Sequence, residues 1–245
     1  MPTPQQEIDV RHERIYKAHN QHEDRPVSIC RVPGKPGYLF RAAMAVDVDG
    51  SPNAYKSPKA TDNTKPLDDL GSSTANSRVY IQGVVSHGRK GRGPHDGYYV
   101  SQTSLGYQHD DDWDCGKWVD GETIPYIVLP EHYLGVGLAD AAYVVQISTG
   151  RFTHAFFADT NNLVGEASFK VAKNLKTKYN PRDGDGTDDY IYLFFPGLEV
   201  PAHTDAPHWP EAAIKEKADA AFASWGGWDL LRQCFPQLPA TGTPP

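Results

Sequence analysis

At 245 residues with 39% hydrophobic and 11% aromatic side chains, the chain can bury a sizeable core in a single domain and falls outside the disordered class. Its formal charge of −7 argues against nucleic-acid binding, which favours basic domains, and leaves room for a cationic ligand drawn into an acidic groove. No apolar run approaches the roughly 18 residues of a membrane span, and no signal peptide is visible at the polar N-terminus. That pattern fits an intracellular protein, or an exported one whose signal is not in this sequence.

Glycine (22) and proline (20) are frequent, which favours short strands joined by turns over long helices. Residues 1 to about 26 are polar and charged and read as an arm or a short helix. Tyr38-Leu39-Phe40-Arg41-Ala42-Ala43-Met44-Ala45-Val46 reads as a buried strand ending in the turn cluster Asp47-Val48-Asp49-Gly50-Ser51-Pro52-Asn53. Residues 51–77 are a long polar connection, of the kind that carries function or disorder. Two further strands are predicted at Val79–Val85 and Tyr98–Leu105, separated by the basic loop Gly88-Arg89-Lys90-Gly91-Arg92-Gly93. His109-Asp110-Asp111-Asp112-Trp113-Asp114-Cys115 is an acidic, aromatic loop.

Ile124–Pro130 reads as a short buried strand, and Ala141–Ile147 with Arg151–Ala158 as a hairpin turning at Thr149-Gly150. A helix is predicted over Ala167–Lys178, a last strong strand over Asp189–Phe195, and helices over Glu211–Ala223 (after Pro210) and Trp228–Cys234. About seven strands and few helices define a mainly β class: a closed barrel with long loops and a helical C-terminus. The three cysteines, Cys30, Cys115 and Cys234, permit one disulfide or none and show no zinc spacing.

The stretch Phe156-Phe157-Ala158-Asp159-Thr160-Asn161-Asn162-Leu163-Val164-Gly165-Glu166-Ala167-Ser168 carries the most chemistry. An apolar strand ends at one carboxylate, a polar turn follows, and a second carboxylate comes just after a glycine. Asp159 is placed where the strand leaves the core and Glu166 at the start of a helix, so that both emerge on one rim. Paired carboxylates suffice for acid/base hydrolysis of a glycosidic bond. The plainer alternative makes Asp159 a turn former and Glu166 a helix cap.

A second group is Asp47, Asp49, Asn53 and Tyr55. Alternate residues of an extended strand share a face, so Asp47 and Asp49 point together, as a sugar-binding subsite or as a polar turn. A calcium loop is disfavoured there because the later acidic ligands are missing. Asp183–Asp189 is read as a solvated turn, and His154 as a packed histidine. Trp113, Trp118, Tyr55, Tyr98, Tyr99 and Tyr143 are possible sugar-stacking rings, though most aromatics serve as packing. The phosphate-loop, zinc-protease and Gly-x-Ser-x-Gly patterns are absent from the sequence.

The chain resembles the fungal-type chitosanases of glycoside hydrolase family 75. The resemblance rests on Asp159-Thr160-Asn161, on Gly165-Glu166-Ala167-Ser168, and on the Asp-x-Asp-Gly-x-x-Asn segment at Asp47–Asn53. Leu67-Asp68-Asp69-Leu70, Gly97–Ser101 and Ile124–Pro130 resemble segments of bacterial and phage relatives. It spans roughly residues 38–196; neither the acidic loop nor the segment after Pro196 finds a counterpart, and the turn between the two acids is shorter than the fungal one.

The resemblance implies that Asp159 and Glu166 are the essential carboxylates of an endo-acting, inverting hydrolase cleaving β-1,4 links in chitosan. It also implies a six-stranded barrel of the double-psi type. Asp47, Asp49, Asn53, Tyr55, Asn161 and Tyr99 are the expected substrate-binding residues. No cofactor or metal is expected, and the partner is an amino-sugar polysaccharide acted on by a secreted monomer, with cytoplasmic or phage delivery as the variant. The expected organisation is an N-terminal arm (1–37), a catalytic barrel (38–200) and a helical extension packed on it (201–245). Two alternatives are a peptidoglycan glycan hydrolase on the same fold and a non-catalytic carbohydrate-binding protein.

Overall fold

The computed structural model describes residues 6–17, 21–63, 65–67, 80–177 and 185–239. In chain order the strands are β1 (Gln6–Lys17), β2 (Gln21–Arg31), β3 (Tyr38–Asp47), β4 (Val85–Ser86), β5 (Arg89–Lys90), β6 (Tyr126–Leu129), β7 (Asp140–Gln146), β8 (Phe152–Thr160), β9 (Glu166–Ser168) and β10 (Asp185–Glu199). Helix α1 (Phe169–Leu175) lies between β9 and β10, and α2 (Glu211–Trp225) and α3 (Gly227–Cys234) follow. Six strands close into a ring in the order β3-β10-β7-β8-β6-β9, with β9 returning to β3. Two of its pairings, β3–β9 and β6–β8, are parallel and the others antiparallel. This is the closed six-stranded barrel that the family resemblance implies.

The ring strands are apolar on both faces, which is why their alternation is imperfect in the sequence. On β10, Tyr190, Tyr192 and Phe194 join one buried cluster with Phe40, Met44, Val144 and Phe157. Phe40 stacks on Tyr192 with centroids 4.7 Å apart. All six ring strands contribute to this cluster, so it fills the inside of the ring. Val171, Ala172 and Leu175 of α1 belong to it too, and α1 touches β3, β7, β8 and β9, closing one end. The alternate residues Ile191, Leu193 and Phe195 face a second cluster on the outside, built with Ile214, Phe222 and Trp225 of α2 and Leu231 of α3. Phe222 stacks on Tyr143 across that layer, 4.6 Å between centroids.

Four local expectations change. The first 31 residues contain a β-hairpin, β1–β2, instead of an arm or short helix, and it joins the ring through Cys30 opposite Leu39. Its interleaved charges hide the strand, yet one of them is structural: Glu13 is fully buried, accepts from Ala43 N at 2.8 Å and pairs with Arg25.

Glu166 and Ala167 belong to β9, since they complete the ring between β3 and β6, and the helix starts only after Ser168. The Ser168 hydroxyl caps it by accepting from Val171 N. Tyr98–Leu105 is not a strand beyond single bridges at Tyr98 and Tyr99, because its later groups bond to other loops: Val100 N to Tyr80 O, and Leu105 N to Ala158 O. Val79–Val85 shrinks to a two-residue strand with bridges at Ile81 and Gln82, Val79 itself lying outside the described residues.

Candidate active site

Three neighbouring strands set the geometry. On β6, Val128 lies opposite Asp159 of β8 on one side and opposite Glu166 of β9 on the other. Residues directly opposite in a sheet share a face, so both carboxylates leave the barrel wall on the same side. Two strand spacings separate their backbones, about 10 Å. Glu166 also pairs with Ala45 of β3, and Asp47, two residues further along β3, shares that face. Val128 belongs to the outer cluster with Val119 and Ile124 of the long excursion between β3 and β6. The carboxylates therefore stand on the outer wall beneath that excursion.

Asp159 reaches this face because of a β-bulge. Ile127 pairs with Phe157 and Val128 with Asp159, so Ala158 is an extra residue. One inserted residue reverses the alternation beyond it. The Ala158 carbonyl accepts from Leu105 N at 2.8 Å. This contact brings Ser104 against the acid: Asp159 Oδ1 accepts from Ser104 N (2.8 Å), Ser104 Oγ (2.7 Å) and Thr160 N (2.8 Å).

At the other end of the turn, Gly165 has φ +96°, a conformation that suits glycine. A Cβ there would lie 3.1 Å from Ala43 O and 3.3 Å from Glu13 Cβ. Val164 N donates to His12 O and Gly165 O accepts from Ala45 N, so β1 and β3 together hold the segment leading into Glu166. Asn161 Nδ2 donates to Glu166 Oε2 at 2.8 Å.

Asp47 and Asp159 are 8% and 9% exposed, and Asp49 is half-buried. One oxygen from each of the three lies within 4.8 Å of the others. Asp49 N donates to Asp47 Oδ1 at 2.8 Å, Asp49 Oδ1 accepts from Ser101 Oγ at 3.0 Å, and Tyr55 hydrogen-bonds to the Asp49 carboxyl. The turn is made by Gly50, φ +76°, over which the chain at Val119 passes so closely that a Cβ would meet Val119 O.

Burial is the main cause that raises all three acids. Asp47 is pushed well above the ordinary carboxylate range by burial, then by Asp49, Glu166 and Asp159. Asp49 is pushed up to about 7 by burial and by Asp159, against the hydrogen bonds from Tyr55 and Ser101. Asp159 is raised by burial, held back by its donors from Ser104 and Thr160. Tyr126, whose hydroxyl donates to Asp49 O at 3.1 Å, is likewise raised by burial and by the same acids. The three carboxyl oxygens form a hard-oxygen set of the kind divalent cations take, although each acid already accepts protein donors.

Of the residues singled out in the sequence, Asp47, Asp49, Tyr55, Asp159, Asn161 and Glu166 come together. Tyr99 joins them through its backbone, Tyr99 N donating to Tyr55 O, while Asn53 Oδ1 is buried with no partner among the described residues. Tyr98 and Tyr143 are buried packing residues, and Trp113 packs on Tyr80. The acidic loop is paired within the protein: Asp111 with Arg89, Asp114 with Arg92, Asp112 with Lys117, and Asp110 with His208. His154 packs beside Glu211. Asp68, Asp69 and Leu70 lie outside the described residues, as does the start of the Asp183–Asp189 turn.

Sequence reasoning missed Ser104, Ser101 and Tyr126. Ser104 and Ser101 sat within a supposed strand with no local mark, and only the fold brings them to the acids.

Carboxyl groups spaced across one strand of an open barrel wall are the equipment of a glycoside hydrolase. Residues 44–226 match the family model described as fungal chitosanase of glycosyl hydrolase group 75. The chain belongs to that family and is a chitosan-hydrolysing glycoside hydrolase. The match runs through α2, further than the motifs near residue 196 reach. No curated protein matches the chain.

Proposed function

We propose that the chain cuts β-1,4 links within chitosan with inversion, Glu166 acting as general acid and Asp159 as general base. The observation that carries this reading is the placement of both carboxylates opposite Val128 on one face. Backbones about 10 Å apart are compatible with the roughly 6.5–9.5 Å carboxyl separation of inverting enzymes. Glu166 protonates the glycosidic oxygen as the bond to the anomeric carbon breaks. Asp159 takes a proton from water as its oxygen bonds to that carbon from the opposite side. Both groups then exchange protons with solvent.

The donors around each acid support these roles. Three donors on one oxygen favour the ionised form of Asp159, as a base requires. Asn161 Nδ2 donates to Glu166 Oε2 and orients that carboxyl group. Asp49, Asn53, Tyr55, Asn161 and Tyr99 serve substrate binding in this reading, and the local negative charge suits the ammonium groups of glucosamine. Residues 38–200 act as the catalytic unit, flanked by 1–37 and 201–245, in a secreted monomer.

Glu166→Gln and Asp159→Asn test the assignment. Each should lower kcat on chitosan by about 10²–10⁴-fold while leaving the melting temperature near that of the parent. Proton NMR of the first products should show the α-anomer from the β-linked polymer. Parent-like rates in either variant, or β-anomeric products, would sink the mechanism. Release of reducing ends from peptidoglycan but not chitosan would move the substrate to the other polymer.

A further inference from the structure

The acid nearest to the base has no role in this scheme. Asp47 is almost wholly buried, and one of its carboxyl oxygens lies within 4.8 Å of an oxygen of Asp159. Two buried carboxylates this close repel each other when both are ionised, so one of the two carries a proton. Counting donors decides which. Asp159 Oδ1 accepts from two backbone N–H groups and a hydroxyl, a set that stabilises negative charge. Asp47 Oδ1 accepts one, from Asp49 N. The proton resides on Asp47.

We propose that Asp47 is the positioning residue of the catalytic base: as a carboxylic acid it donates a hydrogen bond to Asp159, fixing the orientation of that carboxylate and keeping it ionised. This inference rests on Asp159 being the base, and it replaces the sugar-binding role expected for Asp47 from the sequence. The groups that face Asp47 agree with it. From its own segment comes Asp49, from β8 Asp159, from β9 Glu166, and from β6 the phenol of Tyr126. Each of the three carboxylates raises the cost of ionising Asp47 further. During turnover Asp47 keeps its proton. Asp159 gains one from the attacking water and returns it to solvent, so the hydrogen bond between the two acids is restored when Asp159 ionises again.

Asp47→Asn and Asp47→Ala separate this role from its alternatives. The asparagine retains an N–H donor toward Asp159 and cannot ionise. It should hold kcat within about threefold of the parent, leave KM and the acid limb of the pH profile in place, and remove one protonated-carboxyl carbonyl band from the infrared difference spectrum. The alanine lacks the donor. It should lower kcat at least about tenfold and move the acid limb to higher pH, with KM unchanged.

A KM raised severalfold in Asp47→Asn with an unmoved pH profile would return Asp47 to sugar binding and overturn the proposal. So would an infrared spectrum without that carboxyl band. So would loss of the band on adding calcium, with thermal stabilisation absent in Asp47→Asn, since a cation would then neutralise the acids. If Asp159→Asn is inactive while both Asp47 variants keep the parent profile, only this inference fails. If Asp159→Asn is active, the assignment of the base fails with it.

Discussion

Two groups of acidic residues in this protein look alike in the sequence and differ in burial and in their charged partners. Asp110, Asp111, Asp112 and Asp114 crowd one loop, and each pairs with a basic or histidine side chain. The basic stretch at Arg89 and Arg92, with no evident purpose in isolation, is their counterpart. Asp111 is accordingly held below the ordinary carboxylate range, chiefly by the N–H of Trp113 and by Arg89.

Asp47 and Asp159 are buried with the half-buried Asp49 beside them, and the three accept from hydroxyls and backbone N–H groups in place of cations. Burial raises all three, whereas Asp111 of the loop is held low. A dense acidic run is thus a poor guide to reactivity. Carboxylates that burial and like charge push upward are the better one.

Three perturbations sharpen this contrast. The largest effect is expected from Ser104→Ala, which deletes one of the neutral donors on Asp159. A lost hydrogen bond to a carboxylate raises its pKa, so the acid limb of kcat should move to higher pH and kcat below the optimum should fall about tenfold. A pH–rate profile checks this, and an unmoved limb would show that the hydroxyl does not help hold the charge.

Asp49→Asn comes next and is read as stability. Asp49 is raised from 3.8 to about 7 in the folded protein. The folded state thus binds its proton more tightly than the unfolded chain does, and this contribution is lost as pH climbs from about 4 to 7. Above pH 7 the parent carries the full penalty and the variant does not. The melting temperature of the variant relative to the parent should be higher at pH 8 than at pH 4, and equal differences at both would contradict the burial of that charge.

The smallest effect belongs to Asp111→Asn. Its lowered pKa means that its contribution is present above about pH 4 and vanishes in acid. A slight destabilisation at neutral pH, flattened by salt, with kcat unchanged, is the expected result. A large loss of activity would mean that the acidic loop reaches the substrate.

Much of the barrel could be read from the sequence because long apolar runs such as Asp189–Phe195 and the Ala141–Ala158 hairpin leave few choices. Asp47, Asp49, Asp159 and Glu166 were visible as acids at strand ends, and the family resemblance set two of them apart. What stayed hidden was long-range. Ser104 is 55 residues from Asp159, and nothing local marks it as a donor. The β1–β2 hairpin was obscured by charges such as Glu13, whose burial depends on partners at Arg25 and Ala43. Glu166 looked like a helix start because the three-residue strand that contains it exists only to close the ring between β3 and β6.

Ala158 carries a consequence of another kind. It contributes a methyl group and one peptide unit, yet it decides on which side of the wall the next residue stands. Shortening β8 by that one residue would turn the Asp159 side chain from the outer wall toward the apolar barrel lining without altering any acid. Chemistry here depends on a count as much as on identities. Across a lineage, such a strand should tolerate exchange of Ala158 for other small side chains far better than loss of the position. A change in the length of β8 would be more damaging than most changes in its composition.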